Sequence, residues 1–230
     1  MFWYGFDYYY LVLIVPAIII SLIAQTKVSS TFSKFSRVAN IRGLTGAEAA
    51  RRILDMNGLS GVVIEHVKGN LTDHYDPKSR VLRLSDSVFS SKSVAALGVA
   101  AHECGHAIQH AKSYAPLKIR NSVFPVVNVS SSLAVPIIML GLIFNTPFLI
   151  DAGIILFSAV VFFQLVTLPV EFNASRRALA ILEDSYFLEG SEIKSARKVL
   201  SAAALTYVAS AILSAMQLLR LILISNNRRR

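Results

Sequence analysis

Apolar residues collect in four long blocks along the 230-residue chain, separated by stretches where polar residues dominate. Three blocks have close to the roughly 20 residues that a helix needs to cross a bilayer. They are "YYYLVLIVPAIIISLIA" (Tyr8 to Ala24), "VFPVVNVSSSLAVPIIMLGLIF" (Val123 to Phe144) and "FLIDAGIILFSAVVFFQLVTLP" (Phe148 to Pro169). A fourth, "AAALTYVASAILSAMQLLRLILI" (Ala202 to Ile224), is Ala-rich and carries Arg220. Transmembrane, re-entrant and interfacial placements all stay open for it. The inner prolines Pro16, Pro125 and Pro136 would be severe faults in soluble helices but are tolerated in membrane ones. The residues ahead of the first block carry no positive charge, and no A-x-A-like site follows it, so it reads as a retained anchor. Trp3, Tyr4 and Tyr8 to Tyr10 would then form an interfacial aromatic belt.

Residues 25 to 120 are the one sizeable polar region, and its pattern predicts a small α+β unit. Thr45 with Glu48 three positions later is a capping-box signature. Ala49, Ile53 and Leu54 recur at helical spacing behind it, and Asn57-Gly58 is a stop. "GVVIEHV" is short and β-branched, as a strand should be. "LTDHYDPKSRVLRLS" reads as a hairpin that turns at Asp76-Pro77-Lys78-Ser79. Its second arm, Arg80 to Ser85, puts Leu82 and Leu84 on one face and Arg83 and Ser85 on the other, with Val81 breaking the alternation. A helix from about Ser93 to Ala111 follows. The expectation is helix, small antiparallel sheet, helix. The chain then divides into an N-terminal anchor (1–24), a polar domain (25–120), a membrane hairpin (121–170), a polar helix (171–200), and a C-terminal apolar helix with a basic tail (201–230).

Composition strengthens the membrane reading. The chain is 54% hydrophobic and 16% charged, where soluble domains carry about a quarter charged residues. The mean hydropathy is +0.55. A net charge of +9 would suit nucleic acid, but no aromatic-and-basic binding module stands out, and Lys and Arg accumulate on the cytoplasmic flanks of membrane proteins. No nucleic-acid partner is expected. Fourteen Lys or Arg lie between Lys27 and Arg120 and five between Arg176 and Lys198, while the first seven residues and the turn Asn145 to Pro147 have none. The positive-inside rule thus predicts a multi-pass cell-membrane protein with its N-terminus outside and its polar region cytoplasmic. A single cysteine, Cys104, excludes an intrachain disulfide framework.

The chemistry gathers in "GVAAHECGHAIQHAK", residues 98 to 112. Residues four apart share a helix face, so His102 and His106 can offer two imidazoles to one metal ion, with Glu103 beside them to activate a bound water. This H-E-x-x-H pattern implies zinc, one per chain, and hydrolysis by a glutamate general base. His110 lies eight residues from His102, roughly 12 Å along a helix. Metal–nitrogen bonds are only about 2 Å, and no glycine turns the chain, so His110 reads as a neighbour of the site rather than a ligand. Cys104 sits about half a turn away and reads as a packing residue, and Gly105 as room for close packing behind the site. A third ligand must come from elsewhere. His66, His74 and Glu171 all stay open, Glu171 being where the third block gives way to "EFNASRRALAIL".

"LTDHYDPKSRVLRLS", "GVAAHECGHAIQHA" and "LPVEFNASRRALAIL", in this order between membrane spans, resemble the YugP family of membrane zinc metallopeptidases. The arrangement is also similar to HtpX-type peptidases and other gluzincins. The resemblance implies a mainly α membrane protein with three to four transmembrane or membrane-embedded helices and a small α+β cytoplasmic zincin-like (gluzincin) domain. It implies Glu171 as third ligand with His102 and His106, and Glu103 as base. HtpX-type peptidases have an acidic residue shortly after the third ligand to support a zinc histidine; here Asn173 and Ser175 stand in that region. The resemblance further implies that the strand Arg80 to Ser85 pairs with extended substrate. His74, Tyr75 and Arg177 are candidates for stabilising an oxyanion. The expected activity is a membrane-anchored zinc endopeptidase acting on peptides or membrane proteins, in membrane-protein quality control. The lipid bilayer is an expected partner, and a homo-oligomer or membrane adaptor is compatible with the reading. The alternative is a non-catalytic zinc-containing scaffold or assembly factor. An intramembrane protease is disfavoured, because Lys92 and Lys112 bracket a helix too short to span.

Overall fold

Each apolar block becomes one long helix in the computed structural model, which describes residues 8–228. These helices are α1 (Tyr10–Phe35, opening on a π-helical turn), α4 (Ala115–Ile143), α5 (Pro147–Asp184) and α6 (Ser191–Arg228). Between α1 and α4 lie α2 (Gly46–Met56), β1 (Val63–Val67), β2 (His74–Asp76), β3 (Val81–Ser85) and α3 (Val94–Ala111). All four long helices, the last included, are long and apolar enough to cross a membrane. Trp3 and Tyr4 of the expected aromatic belt, and Arg229 and Arg230 of the basic tail, lie outside the described residues.

The helices outrun the blocks that predicted them. Glu171 lies within α5 rather than at the head of a separate polar helix, and residues 201 onward continue a helix that begins at Ser191. Composition explains the continuity: "ASRRALAILE" (174–183) is rich in Ala, Leu and Arg, strong helix formers, and contains no Gly or Pro to end the helix.

The chain divides into two units. The first comprises Met1–Gln25, Lys118–Pro169 and Thr206–Arg230. Within it α4 and α5 form a hairpin around Asn145, and small residues let them approach. A Cβ on Gly153 would run into Ile138 and the Ala134 carbonyl, and one on Gly141 would meet Leu149 and Ile150. Pro125 and Pro136 sit inside α4 without ending it.

The second unit, Thr26–Leu117 with Val170–Leu205, holds the main core. The capping box of α2 forms as expected: Glu48 N–H donates to Thr45 Oγ1 (3.2 Å) and Thr45 N–H to Glu48 Oε2 (2.8 Å). The helix ends at Asn57, with Gly58 at φ +71°. Ile53 and Leu54 of α2, Leu82 and Leu84 of β3, and Leu97, Ala100 and Cys104 of α3 are all fully buried in one cluster. Cys104 Sγ–H points at the Ala50 carbonyl (3.6 Å), and burial pushes its thiol pKa up, which keeps it protonated and inert.

The hairpin β2–β3 is antiparallel, and Asp76 makes its turn by accepting from Lys78 N–H (2.9 Å) and Ser79 Oγ (2.7 Å). The wholly antiparallel sheet expected from the sequence is corrected here. The order is β1-β3-β2, and β1 runs parallel to β3. The chain reverses twice between them, so β3 returns in the direction of β1 and takes the central position. Val81 and Ser85 are consequently buried along with Leu82 and Leu84, which accounts for the broken alternation at Val81. Arg83 ties the sheet together, reaching Glu65 of β1 (3.0 Å) and Asp76 of β2 (3.7 Å).

Candidate active site

The helix α3 begins at Ser93, whose hydroxyl accepts from Ala96 N–H, and runs unbroken through the motif. Its small residues let α5 come close. A Cβ on Gly105 would lie 2.8 Å from the Ala174 carbonyl oxygen, so only glycine fits there without movement. That approach brings Glu171 of α5 to the histidines of α3. Glu171 Oε2 lies 3.3 Å from His102 Nε2 and 3.5 Å from His106 Nε2, and the carboxylate is almost fully buried. The three groups offer ligand atoms that all lie within 4.8 Å of one another. Two bonds of about 2.0–2.1 Å at a tetrahedral angle separate their ligand atoms by roughly 3.4 Å, which matches the two distances.

The partners behind the rings set which nitrogens face inward. Gln109 Nε2 donates to the Val170 carbonyl (2.8 Å) and to Asn173 Oδ1 (3.0 Å), so its Oε1 faces His106 Nδ1 (3.0 Å). That nitrogen therefore carries the proton, and the Nε2 lone pair points toward Glu171. Ser175 Oγ lies 3.1 Å from His102 Nδ1 and can accept in the same way. Two lone pairs and a carboxylate oxygen, all acceptors, then converge on one point. The donor set fits a cation held between them, and two neutral imidazoles with one carboxylate are a set that suits zinc.

Glu103 stands next to this cluster, nearly buried, and Tyr75 N–H of β2 donates to its Oε2 (3.1 Å). The bond ties the β2 edge to α3. Tyr75 Oη lies 2.9 Å from His110 Nδ1, so His110 is engaged with the tyrosine and is not among the three clustered groups. Burial raises the Tyr75 phenol pKa above its ordinary value, which keeps the hydroxyl proton in place at neutral pH. Tyr75 and His110 line a cavity of about 440 Å³ together with Arg80 and Val62.

The sequence model of the family described as "Putative neutral zinc metallopeptidase" matches residues 10–226. The chain belongs to this zinc metallopeptidase family. It is also 52% identical over 220 residues to "Putative membrane protease YugP" of Bacillus subtilis (strain 168), a match covering 96% of this chain and 98% of the relative. No solved structure matches the chain.

Against that zinc metallopeptidase background, the other sequence-derived candidates sort by position. His66 pairs with Asp86 (2.6 Å) and exposed His74 with the Thr72 carbonyl (2.9 Å), so neither joins the cluster. Asn173 Oδ1 accepts from Gln109 and from Arg177 Nε (2.8 Å), so Arg177 braces the amide network behind His106. Thus Asn173 and Ser175, neither acidic, still sit on hydrogen-bond paths to the two histidines. The expectation that β3 pairs with substrate is corrected: β1 and β2 occupy both of its edges. The edge beside Glu103 belongs to β2, and its Tyr75 N–H is held by that carboxylate. Sequence reasoning missed Gln109, which is fully buried. Its signal was there: an amide three residues after His106 and seven after His102, on the helix face that carries both histidines.

Proposed function

We propose that the protein is a membrane-anchored zinc endopeptidase whose catalytic centre works at the cytoplasmic face. The observation that carries this reading is the convergence of His102, His106 and Glu171, with Glu103 anchored beside them. In the proposed site the two imidazole Nε2 atoms and the Glu171 carboxylate hold one zinc ion. When bound there, zinc supplies a Lewis acid that polarises a peptide carbonyl and brings the pKa of a water to about 7. Glu103 takes a proton from the attacking water and returns it to the leaving amine. The Tyr75 N–H occupies Oε2 of Glu103, which orients the carboxylate and leaves Oε1 for the proton. The Tyr75 hydroxyl, kept protonated and positioned by His110, is the oxyanion donor that this geometry favours over His74 and Arg177. Extended substrate would lie beside β2, the strand nearest the base, pairing with backbone groups other than the Tyr75 N–H that Glu103 holds.

The cytoplasmic placement rests on charge. The unit that carries the site is rich in Lys and Arg, and the turn between α4 and α5 has none. Membrane-protein quality control is the physiological setting proposed with it.

The test is Glu103→Gln in the full chain in detergent or bilayer. The substitution should keep zinc and lower cleavage of an unfolded or membrane-protein substrate by about 10²–10⁴-fold, the range for losing a positioned acid–base group. Turnover at the wild-type rate would sink the assignment. Zinc without any cleavage in the wild type would favour the non-catalytic scaffold instead.

A further inference from the structure

A second site lies away from the zinc cluster, between α1 and the first part of α6, within the second unit. On α1, Lys27, Ser30, Thr31 and Lys34 follow one another at i, i+3, i+4 and i+7, the spacing of a single helix face. On α6, Arg197, Lys198, Ser201, Ala202 and Leu205 line the opposite wall. Together with Phe35 they enclose a cavity of about 580 Å³. Its rim carries four exposed cations and three hydroxyl-bearing side chains, while Phe35 and Ala202 are buried at its floor. No carboxylate lines it. Among the described residues none of the four cations is ion-paired with one.

The position along both helices is informative. Lys27 is the first cation after the apolar block that ends at Ala24, and Lys198 is the last before the apolar run that begins at Ala202. The cavity therefore belongs to the stretch where each helix changes from apolar to basic, which is where a bilayer's headgroups would lie. Cations at the rim, hydroxyls between them and an apolar floor match an amphiphile with an anionic head and a hydrocarbon stem.

We propose that this cavity binds the phosphodiester headgroup of an anionic phospholipid. The cations and hydroxyls take the phosphate oxygens, and the first acyl carbons lie against Phe35, Ala202 and Leu205. Free phosphate shares the headgroup's charge and acceptors but lacks the stem, so the two sources can be told apart. The proposal does not depend on the peptidase reading.

The experiment is native mass spectrometry of the detergent-solubilised full chain. It is titrated with phosphatidylglycerol, with phosphatidylcholine of the same chain length, and with inorganic phosphate. Phosphatidylglycerol should give one saturable adduct at least about tenfold tighter than phosphatidylcholine, since each juxtamembrane cation near an anionic lipid contributes several-fold in affinity. The preference should vanish in Lys27→Gln/Arg197→Gln and survive in Lys27→Arg/Arg197→Lys. It should also survive in the charge-matched control Arg52→Gln/Lys68→Gln, which changes exposed residues elsewhere in the unit. Equal binding of both lipids, or a preference lost equally in the control, overturns the proposal. Inorganic phosphate binding as tightly as phosphatidylglycerol, with the same loss in the double variant, would make this a phosphate site and overturn the lipid assignment.

Discussion

The two helices that build the candidate centre contribute in different ways. Helix α3 supplies two histidines and the glutamate from five consecutive residues, so its share follows from helical spacing alone. Helix α5 supplies Glu171, Ser175 and the Val170 and Asn173 groups that hold Gln109, none of which means anything until α5 packs against α3. One share is local and the other is set by tertiary contact. The contact itself depends on Gly105, where the α3 backbone meets Ala174 with no room for a side chain. A metal centre split this way couples zinc affinity to helix packing.

Five substitutions would break or sharpen that contrast. The largest effect should come from Glu171→Ala, which removes the whole ligand proposed for α5. Zinc affinity and cleavage should both fall by more than the 10- to 100-fold seen when only a ligand's partner is lost. Metal analysis after dialysis against a chelator would show it, and retained zinc would mean that α5 does not complete the site. Next in size are the groups behind the rings: Ser175→Ala, acting from α5, and Gln109→Ala, acting from α3. Each should weaken zinc by about 10–100-fold. Gln109→Ala should have the larger effect, because it also removes the two bonds from Gln109 to the Val170 carbonyl and Asn173 that link α3 to α5. Competition with a chromophoric chelator measures both.

Gly105→Ala tests the contact rather than the chemistry. Overpacking there should cost about 1–3 kcal/mol of stability and weaken zinc through displacement of α5. Thermal unfolding with and without zinc separates the two effects, and an unchanged midpoint would show that α3 and α5 can part at no cost. The smallest effect on zinc should come from His110→Ala. This histidine is paired with Tyr75 and not with the cluster, so zinc content should stay at the wild-type level while cleavage falls through loss of the Tyr75 contact.

The same contrast explains what was legible in the sequence. The capping box at Thr45, the hairpin turn at Asp76, the course of α3 and the four apolar blocks all follow from residues close together in the chain. Sheet order did not. "GVVIEHV" declares a strand, but whether it joins the hairpin parallel or antiparallel depends on whether it pairs with β3 or with β2. The placement of β3 in the centre decided that and closed its edges to substrate. Within the candidate site, Glu171 was one of three open choices from spacing alone, and a family resemblance singled it out. Gln109 was overlooked because a glutamine on a helix is usually a surface residue. Only the path from His106 to Asn173 shows why an amide is buried there.

Zinc-edge X-ray absorption of the full chain, compared between wild type, Glu171→Ala and His110→Ala, tests the split centre most directly. The expected shell has two imidazole nitrogens and oxygen ligands at about 2.0–2.2 Å. It should lose an oxygen contribution in Glu171→Ala and stay unchanged in His110→Ala. A shell of three imidazoles that loses one in His110→Ala and is indifferent to Glu171 would contradict the site described here.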